Sequence, residues 1–191
     1  MIGDEIINFF GGFGTAGMLL ALYTIFLIDS MIFPAMPDFF LLVIYSTNPH
    51  SITWGVMLLI IAVFASFSGN SILYFVVKKY SPPRFIKNLM VKYSNMLIIK
   101  DEKILLINRI APVLPYTGAF IAVNNWDYRK AITYIVFGAA LKFGFLLLLS
   151  GTFYHLFEKG IAEKATFLLI AVTISISVIA SYIEKRKLRA G

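Results

Sequence analysis

Uncharged apolar runs dominate the chain, and polar residues gather at a few places between them. Residues 6–28 hold no charged side chain and are long enough to cross a bilayer, which takes about 20 apolar residues. Residues 52–77 form a second uncharged run, closed by Lys78 and Lys79. Residues 131–157 form a third apolar run, charged only at Lys142 near the middle, and residues 165–183 a fourth that is again uncharged. The stretch 29–45 (DSMIFPAMPDFFLLVIY) departs from this pattern, because Asp29, Pro34, Pro37 and Asp38 stand within apolar surroundings. An ordinary spanning helix is excluded there: proline removes a backbone donor and clashes with the preceding turn, and it pushes the residue before it toward extended geometry. The freed backbone groups need protein or a wet cavity around them. The stretch therefore predicts a hinged or re-entrant element facing inward.

The same pattern returns 78 residues later, where Ile110-Ala-Pro112-Val-Leu-Pro115 repeats Ile32-Phe-Pro34-Ala-Met-Pro37. Each copy leads into a short apolar stretch, a polar patch and a tryptophan, Trp54 or Trp126. Broken elements at corresponding places in two halves point to a binding site near the membrane midplane. The fold class expected is an all-α integral membrane protein, an inverted repeat with two proline-broken re-entrant elements and about four spanning helices. It forms one transmembrane domain over 1–191: a first repeat over 6–80, an amphipathic linker over 81–103, a second repeat over 104–184 and a basic tail over 185–191.

Composition strengthens this reading. Of 191 residues, 59% are hydrophobic and only 14% charged, and the mean hydropathy is +0.82. There is no cysteine, which excludes disulfides and thiolate metal sites. A net charge of +7 would suggest nucleic acid in a soluble protein, but here the basic residues flank the apolar runs, where they report topology and contact with anionic headgroups. Nucleic acid is not an expected partner. Met1 to Asn8 carries Asp4 and Glu5 and no basic residue, unlike the positive start of a secretory signal.

Seven basic residues fall within 78–103: Lys78, Lys79, Arg84, Lys87, Lys92, Lys100 and Lys103. Phe85, Leu89, Tyr93 and Met96 recur there at helical spacing, which predicts a helix lying on the membrane surface. Arg129 and Lys130, with the tail Lys185, Arg186, Lys187 and Arg189, fall on the same side if the second broken element returns to the face it entered. That side is cytoplasmic by the positive-inside rule, with the tail inside; the location expected is the plasma membrane of a prokaryote. Whether 33–46 goes halfway in or completes a crossing is left open by the sequence, and with it the side of the N-terminus.

The candidate chemistry is a set of ionisable and polar residues inside these runs. Arg109 offers a planar donor fork suited to phosphate beside a broken backbone; against this, it could snorkel from a helix end. Asp38 and Asp29 are candidates for proton or ion coupling, since burial favours the neutral form of a carboxylate. Either could equally be a counter-ion for Arg109 or Lys142, or an N-cap. Lys142 is costly at mid-bilayer unless paired or wetted. Gly69 and Asn70, with Tyr74 one turn on, either form a helix-contact face or line a cavity. Gly12-Phe-Gly14-Thr-Ala-Gly17 matches a dinucleotide fingerprint, but no strand precedes it; small residues for close helix packing explain it better. His50 and His155 are isolated in sequence and make no metal site by themselves. An enzyme is the least supported class, and no cofactor or metal is expected.

At Arg109-Ile-Ala-Pro112-Val-Leu-Pro115 the chain resembles the DedA/VTT superfamily of membrane proteins. Pro34, Pro37 and Asp38 in the first broken element, and Gly69-Asn-Ser-Ile-Leu-Tyr74 followed by Lys78 and Lys79, agree with it in order and spacing. Pro115 stands where many bacterial members carry a second arginine. The resemblance implies two re-entrant hairpins meeting from opposite membrane faces, and movement of lipids between leaflets along a polar groove. The function expected is translocation of a phosphate-bearing lipid, a polyprenyl phosphate or a phospholipid. Arg109, Lys142, Gly69, Asn70 and Tyr74 would bind it, Asp29 and Asp38 would couple it, and Pro34, Pro37, Pro112 and Pro115 would hold the breaks open. The partners are then anionic membrane lipids, with room for a homo-oligomer. A proton- or sodium-coupled exporter of a small solute and a non-transporting scaffold are the alternatives.

Overall fold

The structure, a computed structural model, describes residues 14–31, 37–80, 101–110, 116–156, 160–162 and 164–172, together with positions 12, 82, 84, 87, 88, 90, 114, 175 and 179; of Arg109 and Ile110 it describes the backbone alone. Six helices are numbered here: α1 Gly14–Met31, α2 Pro37–Tyr45, α3 Ile52–Tyr80, α4 Ile104–Ile110, α5 Thr117–Val123 and α6 Tyr128–Leu156. Residues 164–172 are also helical. Among the described residues there is no strand. The protein is all-helical, and α1, α3 and α6 are each long and apolar enough to cross a membrane. The surface helix expected over 84–103 and the breaks at Pro34, Pro112 and Pro115 lie outside the described residues or mostly so, as does the second half of the run 165–183.

Local sequence sets the ends of these helices. Pro37 is the first residue of α2, where a missing N–H costs nothing because that group has no helical partner anyway. α2 has nine residues, about 14 Å at 1.5 Å per residue, and so covers half of a hydrocarbon core of about 30 Å. Ser51 caps α3, its Oγ accepting from the Trp54 N–H at 3.2 Å, and Lys78 and Lys79 in its last turn favour the negative end of the helix dipole. Asp127 caps α6 in the same way, accepting from the Lys130 N–H at 3.0 Å. Within the glycine pattern at 12–17, Gly14 has a local backbone role. Gly14 takes φ +64 as α1 begins, and a Cβ there would meet nothing within 4 Å.

Contacts along α3 fix how the chain runs. Tyr23 of α1 lies beside Phe64, ring centroids 6.0 Å apart, and Ser30 touches Gly69, so α1 runs parallel to α3. Tyr45, at the far end of α2, lies against Gly55 near the start of α3. The chain thus enters at the end where α3 begins, turns near the level of Gly69, and comes back. Gly69 stands eleven residues before the end of α3, so this first hairpin stops about 16 Å short of it. The second pair of short helices comes from the other end. Glu102, just before α4, accepts from the Asp127 N–H at 2.9 Å, while Gly118 near the start of α5 packs on the Asn70 carbonyl. α6 runs antiparallel to α3: Tyr128 donates to Ser71 Oγ at 2.9 Å, and Gly151 meets Tyr45.

The buried side chains follow this division. One cluster holds Phe26, Leu42 and Ile44 of the first hairpin with Leu58 and Ala62 of α3 and Phe143 and Leu146 of α6. The other holds Leu105, Phe120 and Ile121 of the second pair with Tyr74 of α3 and Ile135 of α6. The outward side is equally apolar: Phe64, Leu141, Phe145 and Leu148 are more than half exposed. Such a surface suits lipid, where helix association rests on close packing more than on the hydrophobic effect. Small residues supply that packing, with Ala62, Ala65 and Ala139 fully buried.

Candidate functional site

Lys142 is the midpoint of the 29-residue α6, and its Nζ lies 2.7 Å from Asp38 Oδ2. Both side chains are mostly shielded, 20% and 13% exposed. The fold brings them together because α2 starts at mid-depth. Its first turn, with Asp38 as the second residue, lies directly against α6. Asp38 therefore works as the counter-ion of Lys142 and not as a helix cap. The pair is unevenly satisfied, since among the described residues buried Asp38 Oδ1 has no hydrogen-bond partner, and the hydroxyls of Ser30 and Ser66 are in the same condition. Each such group costs roughly 1–3 kcal/mol when left dry. Lys142 Nζ also stands 5.6 Å from the centre of the Phe143 ring, whose edge packs on Phe26 at 4.9 Å.

Gly69 and Asn70 are the place where the two short-helix pairs touch α3. A Cβ on Gly69 would lie 2.7 Å from Ser30 Cβ and 2.9 Å from the Leu27 carbonyl oxygen. One on Gly118 would run into the Asn70 carbonyl. Asn70 itself is buried and donates to the Ser66 carbonyl at 2.8 Å. These residues form a helix-contact face in this arrangement. Tyr74 lies further toward the end of α3, its hydroxyl accepting from Lys78 Nζ at 3.0 Å and its ring 4.6 Å from that of Tyr128. Asp29, in the last turn of α1, is half-buried and has a partner of its own.

The second break is held by a residue that pattern reading passed over. Asn108 Nδ2 donates to the Leu114 carbonyl and to Thr117 Oγ1, both at 3.2 Å, while its Oδ1 accepts from the Leu114 N–H at 2.6 Å. One amide thus satisfies backbone on the far side of the break, and Tyr116 enters α5 at φ 53. The signal was an amide next to Arg109 inside an apolar run. Arg109 is the penultimate residue of α4, and its side chain lies outside the described residues. At the end of the bundle where α3 begins, His50 and His155 stand with ring centroids 5.6 Å apart. Nothing in their sequence spacing links them. Among the described residues no group of three or more His, Cys, Asp or Glu could hold a metal.

No family model, curated protein or solved structure matches the chain.

Proposed function

We propose that this chain moves a phosphate-bearing lipid, a polyprenyl phosphate or a phospholipid, between bilayer leaflets. The observation that carries the reading is the ion pair of Asp38 and Lys142 at the midpoint of an apolar helix. Charge at that depth is expensive, and it persists where it serves a path for polar groups. The two short-helix pairs are read as re-entrant hairpins from opposite faces, related as an inverted repeat, with Gly69 and Asn70 lining the groove when the hairpins part. Lys142 is occupied while Asp38 is ionised. Neutralising Asp38 with a proton frees the ammonium to meet a lipid phosphate, and Arg109 at the second break supplies a bidentate partner. Asp29 balances charge beside them, and Tyr74 with Lys78 faces the headgroups at the cytoplasmic end. The membrane is the plasma membrane of a prokaryote, with the basic tail inside. The resemblance of the Arg109 to Pro115 motif to DedA/VTT proteins supports the same direction.

The test uses purified protein in vesicles carrying trace fluorescent lipids, with and without a headgroup phosphate, and an impermeant quencher. The wild type should expose inner-leaflet phosphate lipid to the quencher, and Arg109→Ala and Asp38→Asn should slow this. If the wild type leaves the lipids in place, including under an imposed pH gradient, the reading fails and solute export becomes the next test.

A further inference from the structure

We infer that His50 and His155 form a site for a divalent transition-metal ion of the copper, nickel and zinc class. The two rings come from opposite ends of the sequence, yet stand 5.6 Å apart between centroids with planes at 77°. Both residues are exposed, so an ion reaches them without any rearrangement of the bundle. With metal–nitrogen bonds of about 2.0–2.1 Å, a ring centre sits roughly 3.2 Å from the ion, so once one nitrogen of each ring is turned toward a shared ion, a centroid separation of 5.6 Å corresponds to a nitrogen–metal–nitrogen angle of about 120°. Closing to a tetrahedral angle brings the rings together by only about 0.4 Å.

The fold holds this geometry independently of the histidines. The Tyr45 hydroxyl donates to the carbonyl of Pro49 at 2.7 Å, fixing the residue before His50. The same hydroxyl oxygen lies 2.7 Å from where a Cβ on Gly151 would be, one turn before His155. The absence of a side chain at Gly151 lets the 46–51 turn sit close to the end of α6. Trp54 Nε1, donating to the Ile44 carbonyl at 3.2 Å, ties down the other side of the turn. Two imidazoles, one protein ligand fewer than open zinc sites have, leave the remaining positions for water or an outside ligand. Imidazole selects copper, nickel and zinc over magnesium and calcium, and copper binds most tightly in that series. An ion there would join the exit of the first hairpin to α6, the two elements that Asp38 and Lys142 join at mid-depth.

The test is metal titration of the full chain in detergent, prepared without a histidine tag, using zinc by calorimetry and copper by electron paramagnetic resonance. One ion per chain is expected, with a copper spectrum showing two imidazole nitrogens and no heat from magnesium. His50→Ala and His155→Ala should each weaken binding at least tenfold, and Tyr45→Phe by a smaller factor, as loss of an outer partner does. Unchanged helical circular dichroism confirms that the variants are folded; His50→Gln and His155→Gln replace any variant that is not. The inference is overturned if the wild type binds neither ion, or if the His50→Ala, His155→Ala double variant binds as the wild type does.

Discussion

Removing one partner of the central ion pair should cost far more than removing both. At 2.7 Å the gross attraction between unit charges is ~6 kcal/mol with an effective dielectric constant of about 20. Taking both ions out of water offsets much of it. What remains visible is the asymmetry. Asp38→Leu strands the Lys142 ammonium at the centre of α6, and Lys142→Met strands a carboxylate whose Oδ1 already has no partner among the described residues. Stranding a buried charge costs roughly 3–5 kcal/mol, and exposures of 13% and 20% place these two toward the lower end, at about 3 kcal/mol. The double variant, of similar volume and uncharged, should fall within about 1 kcal/mol of the wild type. Reversible unfolding in mixed micelles reads all four proteins, and the cycle should give a coupling energy of at least ~2 kcal/mol. Lipid movement should be lost in the double variant as well, which separates stability from function. Single variants that each lie within about 0.5 kcal/mol of the wild type, with additive effects, would refute the reasoning.

Gly69→Ala and Gly118→Ala should each lower stability by about 1–3 kcal/mol through overpacking, whereas Gly144→Ala, whose new methyl would meet Leu59 Cδ2 only at 3.9 Å, should unfold with the wild type; equal midpoints for all three would show that the contact face around Asn70 is wrong. Asn108→Ala removes three hydrogen bonds across the second break and should cost roughly 2 kcal/mol or more, with faster proteolysis between α4 and α5 as the readout. At Asp127 the backbone N–H of Lys130, first, and the nearby charges of Lys130 and Arg129 hold the carboxyl below its usual 3.8. Its capping contribution is therefore complete above the unfolded value and lost as pH falls through the lower folded one. The unfolding midpoints of wild type and Asp127→Asn should differ at pH 6 and converge in strong acid, and a constant difference would contradict the assignment.

Much of this arrangement was legible because it follows from one-dimensional constraints. Apolar runs located α1, α3 and α6, and Pro37 marked where α2 begins, since a missing N–H is tolerated in the first turn of a helix. Asp38 and Lys142 were legible as ionisable residues needing partners, though several pairings remained open. Choosing among them takes the depth at which α2 begins, and that depends on how far the chain runs before it turns. Asn108 was missed because its value lies in bonds to Leu114 and Thr117 across a break, which no periodicity reports. The two histidines were legible only as residues isolated in sequence, for the same reason. At Gly14 the pattern left two roles open, since glycine allows either close packing or a positive φ, and Gly14 uses the second. For 33–46 the described part is the nine-residue α2, whose far end lies against Gly55 near the start of α3.

The central claim is that two hairpins enter from opposite faces and meet at Gly69 and Asn70. The chain has no cysteine, so single cysteines can be placed at will, and the most direct test labels Asn48→Cys and Lys130→Cys with an impermeant maleimide in intact cells and in inverted vesicles. The account predicts that position 48 reacts only from outside and position 130 only from the cytoplasm. Labelling of both from the same face would contradict it.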